Sequence, residues 1–393
     1  MLARTITIIA TLVVPIVTVA AQDGTTLAEL RPHGDEAKAA NLDIEVLHTL
    51  DTAMQKQVDN KQVSGVIGLI ARHGKIGYFE TFGQRVREED APMTKDTLFR
   101  IYSMTKPIVA VTAMSLWEEG KFKLDDPISV HLPEWEKATV KEDGKVVPAE
   151  NSVTPRHLMT HSSGLSYNRE ELQLGRNSTL SEFSESLAKR PLHFHPGADY
   201  RYGYSIDILG RYIEAIEDKP LDMVIRKRVF DRLGMNDTEF WVRDSADRDR
   251  VATVYRKSSE DELEPAMSRS EVMSKPSRMM GGQGLMSTCE DYAHFCQMLL
   301  NKGELDGKRV LRKETVDVMF DNHLKRIGKV YGLGGMVDGK GGYSWGGAAG
   351  TKFWIDTHND CCGVFMIQTW GYKTPTYRVF RAHVDRAILP GKE

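Results

Sequence analysis

The stretch FRIYSMTKPI (residues 99–108) sets Ser103 and Lys106 three residues apart where a long apolar run begins. At i and i+3 of a helix the two side chains share a face and can touch. A serine hydroxyl is a poor nucleophile until a base or a charged partner lies in hydrogen-bond reach. The run that follows, closed by Gly120, predicts a helix from near Ser103 to Glu119. Pro107 is tolerable there because it falls in the first turn, where few N–H groups have partners. The start of such a helix also offers free N–H groups and a positive dipole end to a developing oxyanion. The pair alone decides nothing. SLAK (residues 186–189) repeats the spacing inside SEFSESLAKR, where it reads as a solvated helix face.

Working outward, Ile44, Leu47, Leu50, Met54 and Val58 recur at helical spacing. VIGLIARHGKIGYFETFG (residues 66–83) is two apolar runs around a His73-Gly74 turn, a predicted β-hairpin. Thr154 and Pro155 open a short helix as N-cap and first residue. In GGQGLMSTCEDYAHFCQMLL, Ser287 and Glu290 form an expected capping box before an amphipathic helix. GTKFWIDTHNDCCGVFMIQTW gives two strands around Asn359-Asp360, and a closing helix runs roughly from Tyr377 to Leu389. The pattern predicts an α+β fold with a helical insertion. One lobe is expected from residues 22–120 and 275–393, with a mainly helical lobe at 121–274.

The 393 residues carry a formal net charge of −3, with 41% hydrophobic and 27% charged residues, so the composition is that of a globular protein. No basic stripe marks a nucleic-acid partner. Arg4, an apolar run from Ile6 to Ala20 and the small residues of VAAQDG read as a signal peptide cut after Ala21. The alternative, an uncleaved membrane anchor, is opposed by Pro15 and by the shortness of the run. Export to the periplasm or beyond is expected, without stable membrane insertion after cleavage. Cys289, Cys296, Cys361 and Cys362 match no zinc spacing and are expected as buried free thiols, with one bridge left open.

Two further segments bear on Ser103. PGADYRYGYSIDILG (residues 196–210) places Tyr202 after a Pro-Gly turn and before a helical run. SWGGAAGTKFW (residues 344–354) is a glycine-rich approach to a strand, where backbone can come close to a ligand. Together with the Ser-x-x-Lys pair, in this order and spacing, these segments resemble the serine β-lactamase and penicillin-binding superfamily. The likeness covers roughly residues 45–390 and is nearest to class C β-lactamases and the β-lactamase-like (family VIII) carboxylesterases. It implies a β-lactamase/transpeptidase-like fold, an antiparallel sheet flanked by helices plus the inserted helical lobe. It also implies Ser103 as nucleophile, Lys106 as its proton partner and Tyr202 in the place of the family's tyrosine base. The backbone N–H groups of Ser103 and Ala348 would form the oxyanion hole. For Tyr202 to act as a base near neutrality, its pKa must fall from about 10 by about 3, roughly 4 kcal/mol. A Lys106 ammonium beside it has the right sign.

Departures from the family pattern bear on substrate. Class C β-lactamases carry Tyr-x-Asn, whereas Tyr204 stands in the asparagine slot here; they carry Lys-Thr-Gly on the strand, whereas Trp345, Gly346 and Gly347 stand here. Losing that charge-assisted contact and its partner costs about 2 to 4 kcal/mol of recognition for a β-lactam carboxylate. Lys373-Thr374-Pro375 lies past the last strand and has proline where glycine is needed. Tyr204, Trp345, Gly346 and Gly347 are the candidate substrate-binding residues, Trp345 either lining an acyl pocket or simply packing.

Other readings fall away. His193, His195 and Asp199 miss the His-x-His-x-Asp metal spacing, and residues 334–340 lack the Ser or Thr of a P-loop. Ser162 and Ser163 lack a Gly-x-Ser-x-Gly elbow, and His161 is expected as a structural hydrogen-bonder. The expected activity is metal-free and cofactor-free acyl transfer through Ser103 on a small-molecule acyl substrate, foremost as a carboxylesterase. The alternatives are a class C-type β-lactamase or D-Ala-specific peptidase, and a catalytically silent binding protein on the same fold. No oligomeric state is assigned.

Overall fold

The structure is a computed structural model that describes residues 34–167, 177–371 and 375–390. The expected signal peptide, Lys373 and Thr374 lie outside the described residues. Helix α1 (Ile44–Asp59) is capped by the Asp43 carboxylate, which accepts from the Val46 N–H. Strands β1 (Gly65–Arg72) and β2 (Lys75–Val86) form the expected hairpin, with His73 and Gly74 both at positive φ in the turn. That turn geometry matches the right-handed twist of the flanking strands. The short β3 (Ala91–Pro92) pairs with β2 at one edge.

The buried helix α2 (Thr105–Glu118) follows, with every residue from Thr105 to Leu116 buried. A helix apolar on all sides belongs in a core, and α2 is the axis around which the helical part packs. Next come α3 (Leu180–Ala188), α4 (Ser205–Glu217) and α5 (Cys289–Leu300). The chain then returns to the sheet through β4 (Met336–Val337), β5 (Gly342–Gly346), β6 (Lys352–Asp356) and β7 (Cys361–Met366), and closes with α6 (Thr376–Ala387).

The seven strands of this sheet pair antiparallel, in the order β4-β5-β6-β7-β1-β2-β3. β7 lies beside β1, so segments from both ends of the described chain meet at the middle of one sheet. Both central strands are buried along their whole length because each face is covered. α5 packs on one face, and α1 and α6 pack on the other. Gly68 permits the second packing: a Cβ there would lie 2.3 Å from the Phe380 ring. The α+β class and the flanked antiparallel sheet agree with the sequence reading.

Two local expectations need correction. The cap of α5 is Thr288, whose hydroxyl accepts from Asp291 N–H, while Ser287 pairs with Phe99 in a short ladder. Ser103 sits one turn ahead of α2, in a 3₁₀ turn over Tyr102–Met104. Residues 334–341 hold the edge strand β4 and no helix, in agreement with the rejection of a P-loop there. Lys189 of the second Ser-x-x-Lys is exposed at the end of α3. All four cysteines are buried and free.

Candidate active site

The segment leading to Ser103 is clamped from several sides. Phe99 and Arg100 pair with Ser287 and Met286. The Gln368 amide brackets Arg100, accepting from its N–H at 3.1 Å and donating to its carbonyl at 3.0 Å. Below, the Tyr292 hydroxyl donates to the Met104 carbonyl at 2.8 Å, and Leu285 N–H donates to the Thr105 hydroxyl. Between these restraints Tyr102 adopts φ +44, a left-handed conformation that a bulky side chain rarely takes. Its ring is held against Trp370 at 5.0 Å, and its hydroxyl donates to the Met267 sulfur. Such strain costs on the order of 1–3 kcal/mol and persists only where surrounding contacts over-determine it.

Ser103 Oγ accepts hydrogen bonds from Lys106 Nζ at 3.1 Å and from the Tyr202 hydroxyl at 2.7 Å. The structure therefore brings together the three residues that the sequence singled out. Lys106 is fully buried, and Nζ has three acceptors: Ser103 Oγ, the Tyr167 hydroxyl at 3.1 Å and the Gly282 carbonyl at 2.6 Å. Those acceptors match the three protons of an ammonium. Burial nonetheless pushes the Lys106 pKa down to about 7, against the upward pull of the Asp207 charge.

Tyr202 is reached through glycine at a close approach: a Cβ on Gly203 would lie 2.5 Å from Ser166 Cα. The Tyr202 pKa does not show the fall toward neutrality that a tyrosine base would need. Burial pushes it up to about 12, outweighing the Ser103 and Trp345 side chains that act the other way. Lys106 Nζ stands over the Tyr202 ring at 4.6 Å. Near neutral pH the lysine is thus the group that can take a proton, and the phenol the group that can give one.

On β5, Trp345 faces the site, its ring 5.6 Å from Tyr202 and 5.3 Å from Tyr331. Gly346 faces the other way, because a Cβ there would meet the Lys352 side chain at 2.4 Å. Gly347 packs its backbone against the nucleophile segment: a Cβ would lie 2.4 Å from the Ile101 carbonyl oxygen and 2.3 Å from Thr351 Oγ1. The loop is tied down by Gly347 N–H donating to Thr351 O and Gly371 N–H donating to Ala348 O. Exposed Ala348 is thereby held in the turn that follows β5. Tyr204 is only 6% exposed, stacked edge-on beneath Tyr167 at 4.7 Å and Phe183 at 5.1 Å. Its ring supports Tyr167, and it is Tyr167 that reaches Lys106.

Sequence reasoning missed Tyr167 and Asp207. Asp207 lies in the first turn of α4, wholly buried, and its Oδ1 accepts from Gly282 N–H at 2.8 Å. Burial raises its pKa to about 6, opposed by the Lys106 charge. The reading of His161 also needs correction. Its buried ring has a hydrogen-bond partner at neither nitrogen and packs 4.6 Å from the Tyr202 ring. Burial, and then the Lys106 charge, hold its pKa well below the usual histidine range, so it serves as a neutral wall.

The remaining candidates are committed elsewhere. His193 approaches Ser166 Oγ at 2.7 Å and Arg201 at 3.2 Å. Arg201 can only donate, so Nδ1 accepts and the ring proton sits on Nε2, donating to Ser166. That tautomer cannot accept the Ser166 proton, so the contact is no serine–histidine dyad. His195 accepts from Glu150 N–H, and Asp199 pairs with Lys329 at 2.8 Å. Ser162 bonds Thr160, and Ser163 bonds Ser205. Among the described residues no cluster of His, Cys, Asp or Glu could hold a metal ion.

A sheet flanked by helices, with a serine hydrogen-bonded to a buried lysine and to a tyrosine, defines a β-lactamase-like class of protein. The profile of the Beta-lactamase family matches residues 50–385, and the chain belongs to that family. A Mycobacterium tuberculosis protein is 34% identical over 357 residues, which are 80% of this chain and 88% of the relative. Esterase EstB of Burkholderia gladioli is 35% identical over 243 residues, 58% of this chain and 59% of EstB. Among solved structures, EstCE1, a hydrolase with promiscuous acyltransferase activity, superposes with a TM-score of 0.75 at 26% identity, covering 86% of this chain and 98% of its own. The fold is β-lactamase/transpeptidase-like, and the relatives include esterases and acyltransferases.

Proposed function

We propose that the protein is a carboxylesterase that works through an acyl-enzyme on Ser103. The observation that carries this reading is the Ser103 hydroxyl held jointly by Lys106 and Tyr202. Neutral Lys106 takes the Ser103 proton as Oγ bonds to the ester carbonyl carbon. The ammonium so formed already has acceptors in Ser103, Tyr167 and Gly282. Ser103 and Ala348 N–H groups receive the oxyanion. Tyr202 gives its proton to the departing alkoxide, and the phenolate left behind is reprotonated by the Lys106 ammonium, whose Nζ stands over its ring at 4.6 Å. Water then attacks the acyl carbon by the reverse proton path, freeing the carboxylic acid and Ser103.

The substrate class follows from the walls. Trp345, packed against the Tyr202 and Tyr331 rings, presents an aromatic face where class C β-lactamases carry the strand lysine. Such walls suit an uncharged acyl group better than a β-lactam carboxylate. Transfer of the acyl group to an alcohol is a second reading, favoured by the resemblance to EstCE1. Exported action, with a mature chain starting at Gln22, belongs to the same proposal and rests on the pattern of residues 4–21. The test is side-by-side hydrolysis of a chromogenic butyrate ester and a chromogenic cephalosporin, with Ser103→Ala as control. Ester turnover lost in the variant, with little cephalosporin cleavage, is expected; fast cephalosporin cleavage overturns the substrate class.

A further inference from the structure

Asp207 is a fully buried carboxylate that the acyl-transfer steps above do not use. Its Oδ1 accepts from Gly282 N–H at 2.8 Å, and the carbonyl of the same residue accepts from Lys106 Nζ at 2.6 Å. One amino acid therefore stands between the carboxylate and the lysine, hydrogen-bonded to each. The junction leaves no room for a side chain: a Cβ on Gly282 would lie 2.7 Å from Asp207 Oδ2, and one on the neighbouring Gly281 would lie 2.6 Å from the Ile206 carbonyl. Oδ2 itself has no hydrogen-bond partner, so burial of the carboxylate is offset chiefly by Gly282 and by charge. A buried carboxylate is costly, and its retention beside a buried lysine needs a reason.

We propose that Asp207 is a positioning residue for Lys106, holding the Gly282 peptide that aims Nζ at Ser103 and supplying the countercharge when Lys106 takes the serine proton. This rests on the reading of Lys106 as the proton acceptor. When the Ser103 O–H bond breaks, its electron pair stays on Oγ to form the acyl bond, and the proton moves to Nζ. A new cation then appears in a closed site. The other groups facing it are poor anions: Tyr167 and Tyr202 have raised pKa values through burial, and His161 is neutral. Arg278, stacked over Phe183 at 5.2 Å, is a further cation felt by Asp207 and cannot balance Lys106. Asp207 is the carboxylate whose charge acts on Lys106.

The test follows Lys106 directly in full-length protein labelled with ¹³Cε-lysine, the Lys106 signal being identified by its loss in Lys106→Arg. Asp207→Asn keeps an oxygen acceptor for Gly282 N–H and deletes the charge. The Lys106 titration midpoint is expected to fall by about 1 pH unit or more, since a nearby opposite charge moves a pKa by about 1–3. The acid limb of kcat/KM is expected to move to lower pH with it. Gly282→Ala, which drives Asp207 away without touching its charge, is expected to move the midpoint the same way and keeps the test open if Asp207→Asn does not fold. An unmoved midpoint in a folded variant overturns the proposal, because a purely structural carboxylate would leave Lys106 unchanged. Failure of the esterase reading shows separately, as ester turnover that survives in Ser103→Ala.

Discussion

Replacing Tyr202 with phenylalanine separates acid catalysis from packing. The substitution removes the hydroxyl that donates to Ser103 Oγ at 2.7 Å and leaves Lys106 bonded to the same oxygen at 3.1 Å. The ring keeps its contacts with His161 at 4.6 Å and Trp345 at 5.6 Å. Stability should therefore change by about 1 kcal/mol, the net worth of one hydrogen bond. Catalysis should lose the proton donor for the leaving group, a contribution of about 10²–10⁴-fold, or about 3–5 kcal/mol of barrier. The assay is kcat/KM, which reports acylation, for two butyrate esters. One releases p-nitrophenolate, which leaves without help, and the other releases a simple alkoxide, which needs a proton. The loss in Tyr202→Phe should be severe for the alkyl ester and much smaller for the nitrophenyl ester. Equal losses, or less than tenfold for both, would refute the assignment of Tyr202 as the acid.

Three further outcomes are expected. The kcat/KM profile of the unaltered protein should rise with pH through a midpoint near the Lys106 value of about 7, because the lysine is protonated and unable to accept below it and neutral above it; a rate falling with pH across that range contradicts a lysine base. Gly347→Ala places a Cβ 2.4 Å from the Ile101 carbonyl oxygen, so the Ala348 loop must move off the Ser103 turn; loss of one oxyanion donor lowers kcat by about 10²–10³-fold, read in the same ester assay. Gly68→Ala drives a methyl into Phe380 on the sheet face away from Ser103; thermal melting should show a loss of about 1–3 kcal/mol, with ester turnover at 25 °C retained.

Much of the frame is legible in one dimension because it is encoded locally. The His73-Gly74 and Asn359-Asp360 turns separate strands that pair as their patterns require. Ser103 and Lys106 declare themselves by spacing, and Tyr202 and Trp345 by their family-like settings. What stays hidden is set by tertiary burial. Asp207 sits in the first turn of a helix, where an acid ordinarily serves the dipole, and only the distant Gly282 reveals its use. Tyr167 is the last residue of HSSGLSY (residues 161–167), and nothing local says that its hydroxyl reaches Lys106. The Tyr202 shift is hidden as well, since the sequence shows a lysine nearby but not the burial that raises the phenol pKa above its ordinary value. The polarity of His161 predicts a hydrogen-bonder, but the aromatic rings around it leave its nitrogens without partners. The α5 cap slipped by one residue because Ser287 and Thr288 are both competent caps, and the ladder to Phe99 claims the first.

The most direct test of the central claim is intact-mass spectrometry of the full chain after rapid mixing with a butyrate ester and acid quench, followed by peptide mapping. A butyryl adduct on the peptide carrying Ser103, formed within one turnover and missing in Ser103→Ala, is the predicted result. Ester hydrolysis with no covalent adduct at Ser103, or turnover that persists in Ser103→Ala, would contradict it.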